Sequence, residues 1–189
     1  MSLFAKRNAI GYAVLMTVLI LKVLFVLSIV AAMEWLAWFS HKYIMHGFGW
    51  GWHRDHHEPH SGFLEKNDRF AIFGALLSIS MFALGSPMIR GDAAWPLATY
   101  VGLGVLLYGV IYTLVHDGLV HQRWFRWVPR KGYAKRLVQA HKLHHATIGK
   151  AGGVSFGFVF AQRPDVLKEE LRIQMRSGVA VVREALEAD

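Results

Sequence analysis

Ten of the eleven histidines in this 189-residue chain fall into four groups: "HKYIMH" (His41, His46), "HRDHH" (His53, His56, His57), "HDGLVH" (His116, His121) and "HKLHH" (His141, His144, His145). The order is H-x4-H followed by H-x2-H-H, and it occurs twice. On an α-helix, positions i, i+3 and i+4 share a face, so each H-x2-H-H group is expected to aim three imidazoles at one point. The i, i+5 pair would stand about 140° apart, which suits reaching around a cluster more than closing on one small ion. A lone interfacial histidine is ordinarily a hydrogen-bonded structural residue, and His60 is read that way. Ten in a duplicated spacing are different. Crowded imidazoles repel one another when protonated and are costly to bury unpaired, whereas a metal centre gives the neutral rings a shared partner for their lone pairs.

One ion takes about four to six ligands, so ten histidines suit two ions. Imidazole by itself leaves zinc, copper, nickel and iron open. Because the ligands are neutral, carboxylates are expected behind the rings to offset the metals' charge. Asp117 and Asp55 are the first candidates, with Glu58 and Glu34 as further ones; the plain alternative for each is an interfacial salt bridge or cap. The chain has no cysteine, which excludes disulfides, thiolate metal sites, iron–sulfur ligation and cysteine-ligated haem.

The elements that must carry these histidines are apolar. Hydrophobic residues make up 54% of the chain and aromatics 13%, which points to a membrane protein. Three runs are candidates for crossing a bilayer: residues 8 to 40, 70 to 86 and 97 to 115. The last two are joined by "PMIRGDAAWP", a turn by its prolines and its Gly-Asp pair. The first run is expected to cross once. Lys22 precedes His41 by about 29 Å of helix, one bilayer core, and so marks the far interface. Residues 1 to 22 are expected to form a retained N-terminal extension, because no convincing small-residue cleavage site follows the early basic residues. The expected fold is an all-α membrane protein with three or four transmembrane helices and a histidine-rich di-metal cap, all within a single domain spanning residues 1 to 189.

The formal net charge is +8. No acid occurs between Asp117 and Asp165, while Arg123, Arg126, Arg130, Lys131, Lys135, Arg136, Lys142 and Lys150 do. Short basic flanks of spans stay in the cytoplasm, and two crossings separate His46 from His116, so both histidine regions are expected on that face. Trp124 and Trp127 fit an interfacial aromatic belt. Nucleic acid is a poor partner for charges placed beside spans with no recognition module. After the glycine-rich "GKAGGVSFGF", residues 164 to 189 read as an amphipathic helix with Leu167, Leu171, Met175 and Val179 every four residues.

The four histidine motifs, with "HKYIMHGFGWGWHRDHHEPH", "VHDGLVHQRW", "PRKGYAKRL" and "GGVSFGF", resemble the bacterial β-carotene 3-hydroxylases of the membrane fatty-acid hydroxylase superfamily, across roughly residues 24 to 161. The resemblance implies a non-haem di-iron monooxygenase of the bacterial inner membrane, with two iron ions on the ten motif histidines. It would use O2 to hydroxylate carbon 3 of each β-ionone ring, taking β-carotene through β-cryptoxanthin to zeaxanthin. Such a reaction consumes two external electrons, and no dinucleotide fingerprint, haem-attachment motif or cysteine cluster is present to deliver them. A ferredoxin-type protein is the expected donor. Arg123, Arg126, Arg130, Lys131, Lys135 and Arg136 would be its dock, or else would bind anionic lipid headgroups.

Other classes share parts of this pattern. A carotenoid ketolase, sterol oxidase or fatty-acid hydroxylase would carry similar histidines. A metal transporter would place ionisable groups along its spans, but the runs 70 to 86 and 97 to 115 contain no charged residue and no histidine. A zinc-stabilised structural membrane protein also fits the residues alone.

Overall fold

The structure is a computed structural model that describes residues 3–58, 64–124 and 126–182. His60 lies outside the described residues, as do 183–189 at the end of the tail. Helix α1 (Leu3–Phe39) runs without a break for 37 residues. At 1.5 Å per residue that is about 55 Å, longer than a bilayer core. It turns at Gly47 and Gly49 into the short α2 (Trp50–His57). Helix α3 (Asp68–Gly85) and helix α5 (Pro96–Tyr112) form an antiparallel pair joined through α4 (Pro87–Arg90). Helix α6 (Gly132–His144) and helix α7 (Pro164–Arg176) complete the chain, and the described residues contain no strand.

Three stretches are long and apolar enough to cross a membrane: Ile10–Phe48, Asp68–Gly85 and Pro96–Val120. The first is one helix rather than two, so the alternative of four spans falls away. Lys22 places its ammonium 5.3 Å above the ring of Tyr100, in the early turns of α5 and at the end remote from His116. That sets Lys22 level with the far ends of the other two spans, as its distance from His41 suggests, and α1 projects beyond them.

Small residues let the spans approach closely, which is how helices associate in an apolar medium. A Cβ on Gly102 would come 3.1 Å from the carbonyl oxygen of Ser78, whose hydroxyl donates to the Gly102 carbonyl at 2.9 Å. A Cβ on Gly104 would meet Ile29 of α1 at 2.6 Å.

The α-helical ladder changes at the inner ends of two spans. Ser40–Phe48, after α1, and Thr113–Val120, after α5, are π-helical. A π turn closes on the fifth residue, so positions i and i+5 come to one face. His41 and His46 sit on the first of these segments, and His116 and His121 at the second. The 140° separation expected for an α-helix therefore does not apply.

The tail helix is shorter than expected. It ends at Arg176, with Ser177 following and Gly178 at φ +71°, where glycine is favoured. Leu167 and Leu171 bury against Leu137, Ala140 and Leu143 of α6, and Val154, Ala161 and Ala180 close this small core. It is the platform under His141, His144 and His145.

The arrangement places the α4 turn and the α6 region on opposite sides of α5. Cysteines introduced singly at Arg90 and Lys131 should therefore react with an impermeant maleimide from opposite faces of sealed vesicles. Labelling of both from one face would remove α5 as a crossing.

Candidate metal centre

The corner "HGFGW" folds α2 back over the end of α1. The Gly49 N–H donates to the Ile44 carbonyl at 2.8 Å, and a Cβ on Gly49 would press on that same oxygen at 2.8 Å. His53, His56 and His57 thereby reach His41 and His46. From the other side α6 presents His141, His144 and His145, and the segment after α5 presents His116 and His121.

All ten motif histidines come together, as two clusters. His41, His46, His53, His57 and His144 each offer a ring nitrogen within 4.8 Å of the others, as do His56, His121, His141 and His145. His116 joins the second cluster, its Nε2 lying 3.1 Å from that of His56. Neither H-x2-H-H group aims three rings at one point. In each, the i and i+4 histidines go to the cluster of their own half, while the middle one, His56 or His144, crosses to the other. The rotation between i+3 and i+4 decides this once two clusters lie side by side.

The rings are held from behind. Nδ1 of His41 donates to the Phe156 carbonyl at 2.9 Å, that of His144 to the Val154 carbonyl at 2.9 Å and that of His46 to the Lys150 carbonyl at 3.3 Å. His53 Nδ1 donates to Asn67 Oδ1 at 2.7 Å, His56 Nδ1 to Glu65 Oε2 at 2.6 Å and His116 Nδ1 to Asp117 Oδ1 at 2.7 Å. With Nδ1 protonated, Nε2 of a neutral ring carries only a lone pair. Yet these Nε2 atoms face one another, His41 to His53 at 3.0 Å, His46 to His144 at 3.2 Å and His56 to His116 at 3.1 Å. Two lone pairs at that distance repel unless a cation lies between them. Ligands at right angles around a metal, each about 2.1 Å from it, stand about 3.0 Å apart, which matches. Burial, reinforced by neighbouring imidazoles, holds His56, His121, His141, His144 and His145 below the usual histidine range, with His53 pushed down to about 3. Burial thus favours in these six rings the neutral form that can ligate a metal. The donor set fits metal ions.

Residues 25–166 match the fatty acid hydroxylase family. The chain belongs to the fatty acid hydroxylase family. Among curated relatives of this hydroxylase, "Beta-carotene hydroxylase" of Pseudescherichia vulneris is 51% identical over 150 residues, 79% of this chain and 82% of that one. The protein of the same name from Pantoea ananas is 50% identical over 163 residues, 86% of this chain and 90% of that one. "Beta-carotene 3-hydroxylase, chloroplastic" of Haematococcus lacustris is 40% identical over 160 residues, 82% of this chain and 48% of that one. No solved structure matches the hydroxylase.

The carboxylates around the centre are only partly those expected from the sequence. Asp117 does stand behind a histidine. Asp55 does not: one of its oxygens accepts from the Lys66 N–H at 2.7 Å and the other has no hydrogen-bond partner. Glu58 is exposed and pairs with Arg54 at 3.5 Å, four residues back on the helix. Glu65 and Asn67 were not foreseen; their only trace is the run "EKND" between the histidine motif and α3. The clusters consequently differ, since the second is backed by the carboxylates of Glu65 and Asp117 and the first by neutral oxygens.

Arg123 belongs to this shell and not to an outer docking surface. Its guanidinium meets both oxygens of Asp68 at 3.0 Å and Asp117 Oδ2 at 3.5 Å, with the side chain 12% exposed. Arg126, Arg130, Lys131 and Lys135 are exposed, and Arg136 donates to the Gln162 carbonyl at 3.0 Å.

Removal of the acceptor behind His56 should loosen the centre. Glu65→Ala is expected to weaken metal retention about 10- to 100-fold in chelator competition. Glu58→Ala should leave retention unchanged, and equal effects of the two would refute the role assigned to Glu65.

Proposed function

We propose that this hydroxylase converts β-carotene to β-cryptoxanthin and then zeaxanthin by O2-dependent hydroxylation at carbon 3 of each ring, with two iron ions held by the ten histidines. The observation that carries this reading is the identity of about half to the bacterial β-carotene hydroxylases over most of both chains. The "3-hydroxylase" name of the Haematococcus relative supports the position. His41, His46, His53, His57 and His144 would hold one ion, and His56, His116, His121, His141 and His145 the other. When bound, the irons would supply activation of O2, one atom of which enters a ring C–H bond while the other leaves as water with two electrons from the donor and two protons from solvent.

The chain's own residues orient and shield. The acceptors on Nδ1 of His41, His46, His53, His56, His116 and His144 fix those six tautomers, so that their Nε2 needs no reorganisation to serve as a ligand. Phe158 lies flat on His41, ring centroids 4.9 Å apart at 11°, and edge-on to His116 at 5.1 Å. Its other neighbour is Tyr112, the last residue of α5, at 4.8 Å. These rings exclude water between the ends of the spans and the histidines. The apolar spans admit a long hydrocarbon sideways from the bilayer, and only its end reaches the clusters above them. A terminal ring is the natural target.

The active face is the cytoplasmic side of a bacterial inner membrane, on the strength of the basic run. The electron donor is a reduced ferredoxin-type protein, docking on the exposed Arg126, Arg130, Lys131 and Lys135 with Arg136 at the edge.

Supplied with β-carotene, a ferredoxin-reductase system and labelled O2, the protein should release β-cryptoxanthin before zeaxanthin, each hydroxyl carrying the label. It should hold two irons per chain, and His144→Ala should abolish turnover. A 4-keto product, oxygen from water or preferential fatty-acid hydroxylation would each replace this reading with another of the family's chemistries. Charge reversal at Arg130 and Lys131 together should raise KM for ferredoxin and leave kcat unchanged. An unchanged KM would assign the basic run to lipid headgroups.

A further inference from the structure

Glu34 is an acid inside the apolar span of α1, and the structure uses it in an unexpected way. Its Oε1 accepts from three successive backbone N–H groups, those of Phe158 at 3.0 Å, Val159 at 3.0 Å and Phe160 at 2.9 Å. Its Oε2 accepts from the Tyr108 hydroxyl of α5 at 2.7 Å. None of these partners is a histidine. An acid within a span is costly unless its hydrogen-bonding capacity is met, and four donors meet it. The cradle is closely fitted: a Cβ on Gly157 would come 2.8 Å from the Phe160 carbonyl oxygen and 3.0 Å from Glu34 Oε1.

The loop gripped in this way does more than close a surface. It carries the Phe156 carbonyl that receives His41 Nδ1, the Val154 carbonyl that receives His144 Nδ1, and the Phe158 ring that lies on His41 and meets His116. His41 and His144 are both fully buried, so no solvent can replace those carbonyls if the loop moves. One side chain thus ties α1, α5 and the 153–160 loop together at the point from which two rings of the first cluster are aimed.

We propose that Glu34 is a positioning residue of the metal centre, fixing the 153–160 loop on α1 and α5 and through it the tautomer and direction of His41 and His144. This rests on reading the histidines as metal ligands. A purely structural role, tying helices together, would lower the unfolding temperature without a selective effect on one cluster.

The test compares purified wild type with Glu34→Leu, Glu34→Gln, Gly157→Ala and the double variant Glu34→Leu/Gly157→Ala. The readouts are iron retained per chain during a timed chelator challenge and hydrogen exchange of the 158–160 amides. Leucine suits a membrane helix but accepts nothing, so Glu34→Leu should lose iron from the first cluster about 10- to 100-fold faster, while the second cluster keeps its ion. Glu34→Gln retains an acceptor for the three N–H groups and should recover most of the retention. Gly157→Ala should reproduce the loss from the loop side of the same contact, with the sequence of α1 unchanged. The double variant should be no worse than either single change, because both act through one contact. Wild-type retention in Glu34→Leu and Gly157→Ala, equal loss from both clusters, or multiplicative loss in the double variant would overturn the proposal. If Glu34→Leu does not insert, Gly157→Ala decides alone. If the wild type itself holds no metal ion of any kind, the metal reading fails, and unchanged exchange of the 158–160 amides in the variants would independently refute the clasp.

Discussion

The structure depends on one electrostatic constraint: ring nitrogens with no proton to share are held within 3.0–3.2 Å of one another. Each Nδ1 that donates to a carbonyl, an amide or a carboxylate commits its ring to a single tautomer and turns a bare lone pair inward. Six such rings, all buried, would repel one another unless cations gathered the lone pairs. The π-helical segments, the two-glycine corner and the loop behind His41 and His144 can all be understood as the means of meeting that demand. A regular α-helix through His41 and His46 would turn one of the two away from the cluster.

The duplicated motif produces two clusters that are interlocked and not simply repeated. Each takes an H-x4-H pair and an i, i+4 pair from one half of the chain and a single histidine, His144 or His56, from the other. Neither half can complete a cluster alone, so the centre assembles only when α2 and α6 meet. The interlock also makes unequal surroundings possible. Neutral oxygens orient the first cluster, whereas Glu65 and Asp117 place negative charge behind the second, braced by Arg123 and Asp68. A carboxylate on the far nitrogen makes an imidazole a stronger electron donor than a carbonyl does. The two positions are therefore chemically distinct although their ligands are alike.

The membrane part of the molecule is simpler. Its three spans are packed through glycines and a serine and expose apolar surface over most of their length, as a lipid environment requires. Beyond the spans, the small core between α6 and α7 supports the histidines of α6 in a region that would otherwise be a loose, basic surface segment.

The sequence by itself determined the composition of the centre and its relation to the membrane. Histidine type and count, the absence of cysteine, apolar run lengths and the family resemblance are local or compositional properties, legible without contacts. The three spans, the gathering of the ten histidines and the place of Asp117 belong to that class. Which histidine joins which cluster was decided by tertiary structure, because an α-helical wheel drawn on "HKYIMH" assumes a ladder that the chain abandons at Ser40. So was the identity of the acceptors. Glu65 and Asn67 lie nine and fourteen residues from the rings they orient, and the Phe156 carbonyl lies 115 residues from His41. A backbone carbonyl has no signature in residue type at all. Asp55 and Arg123 show the converse: each is the right kind of residue in the right neighbourhood, yet one bonds a loop amide and the other bonds Asp68. Charge and proximity along a chain nominate candidates, but direction in space assigns the partner, and direction is fixed only when helices distant in sequence close on one another.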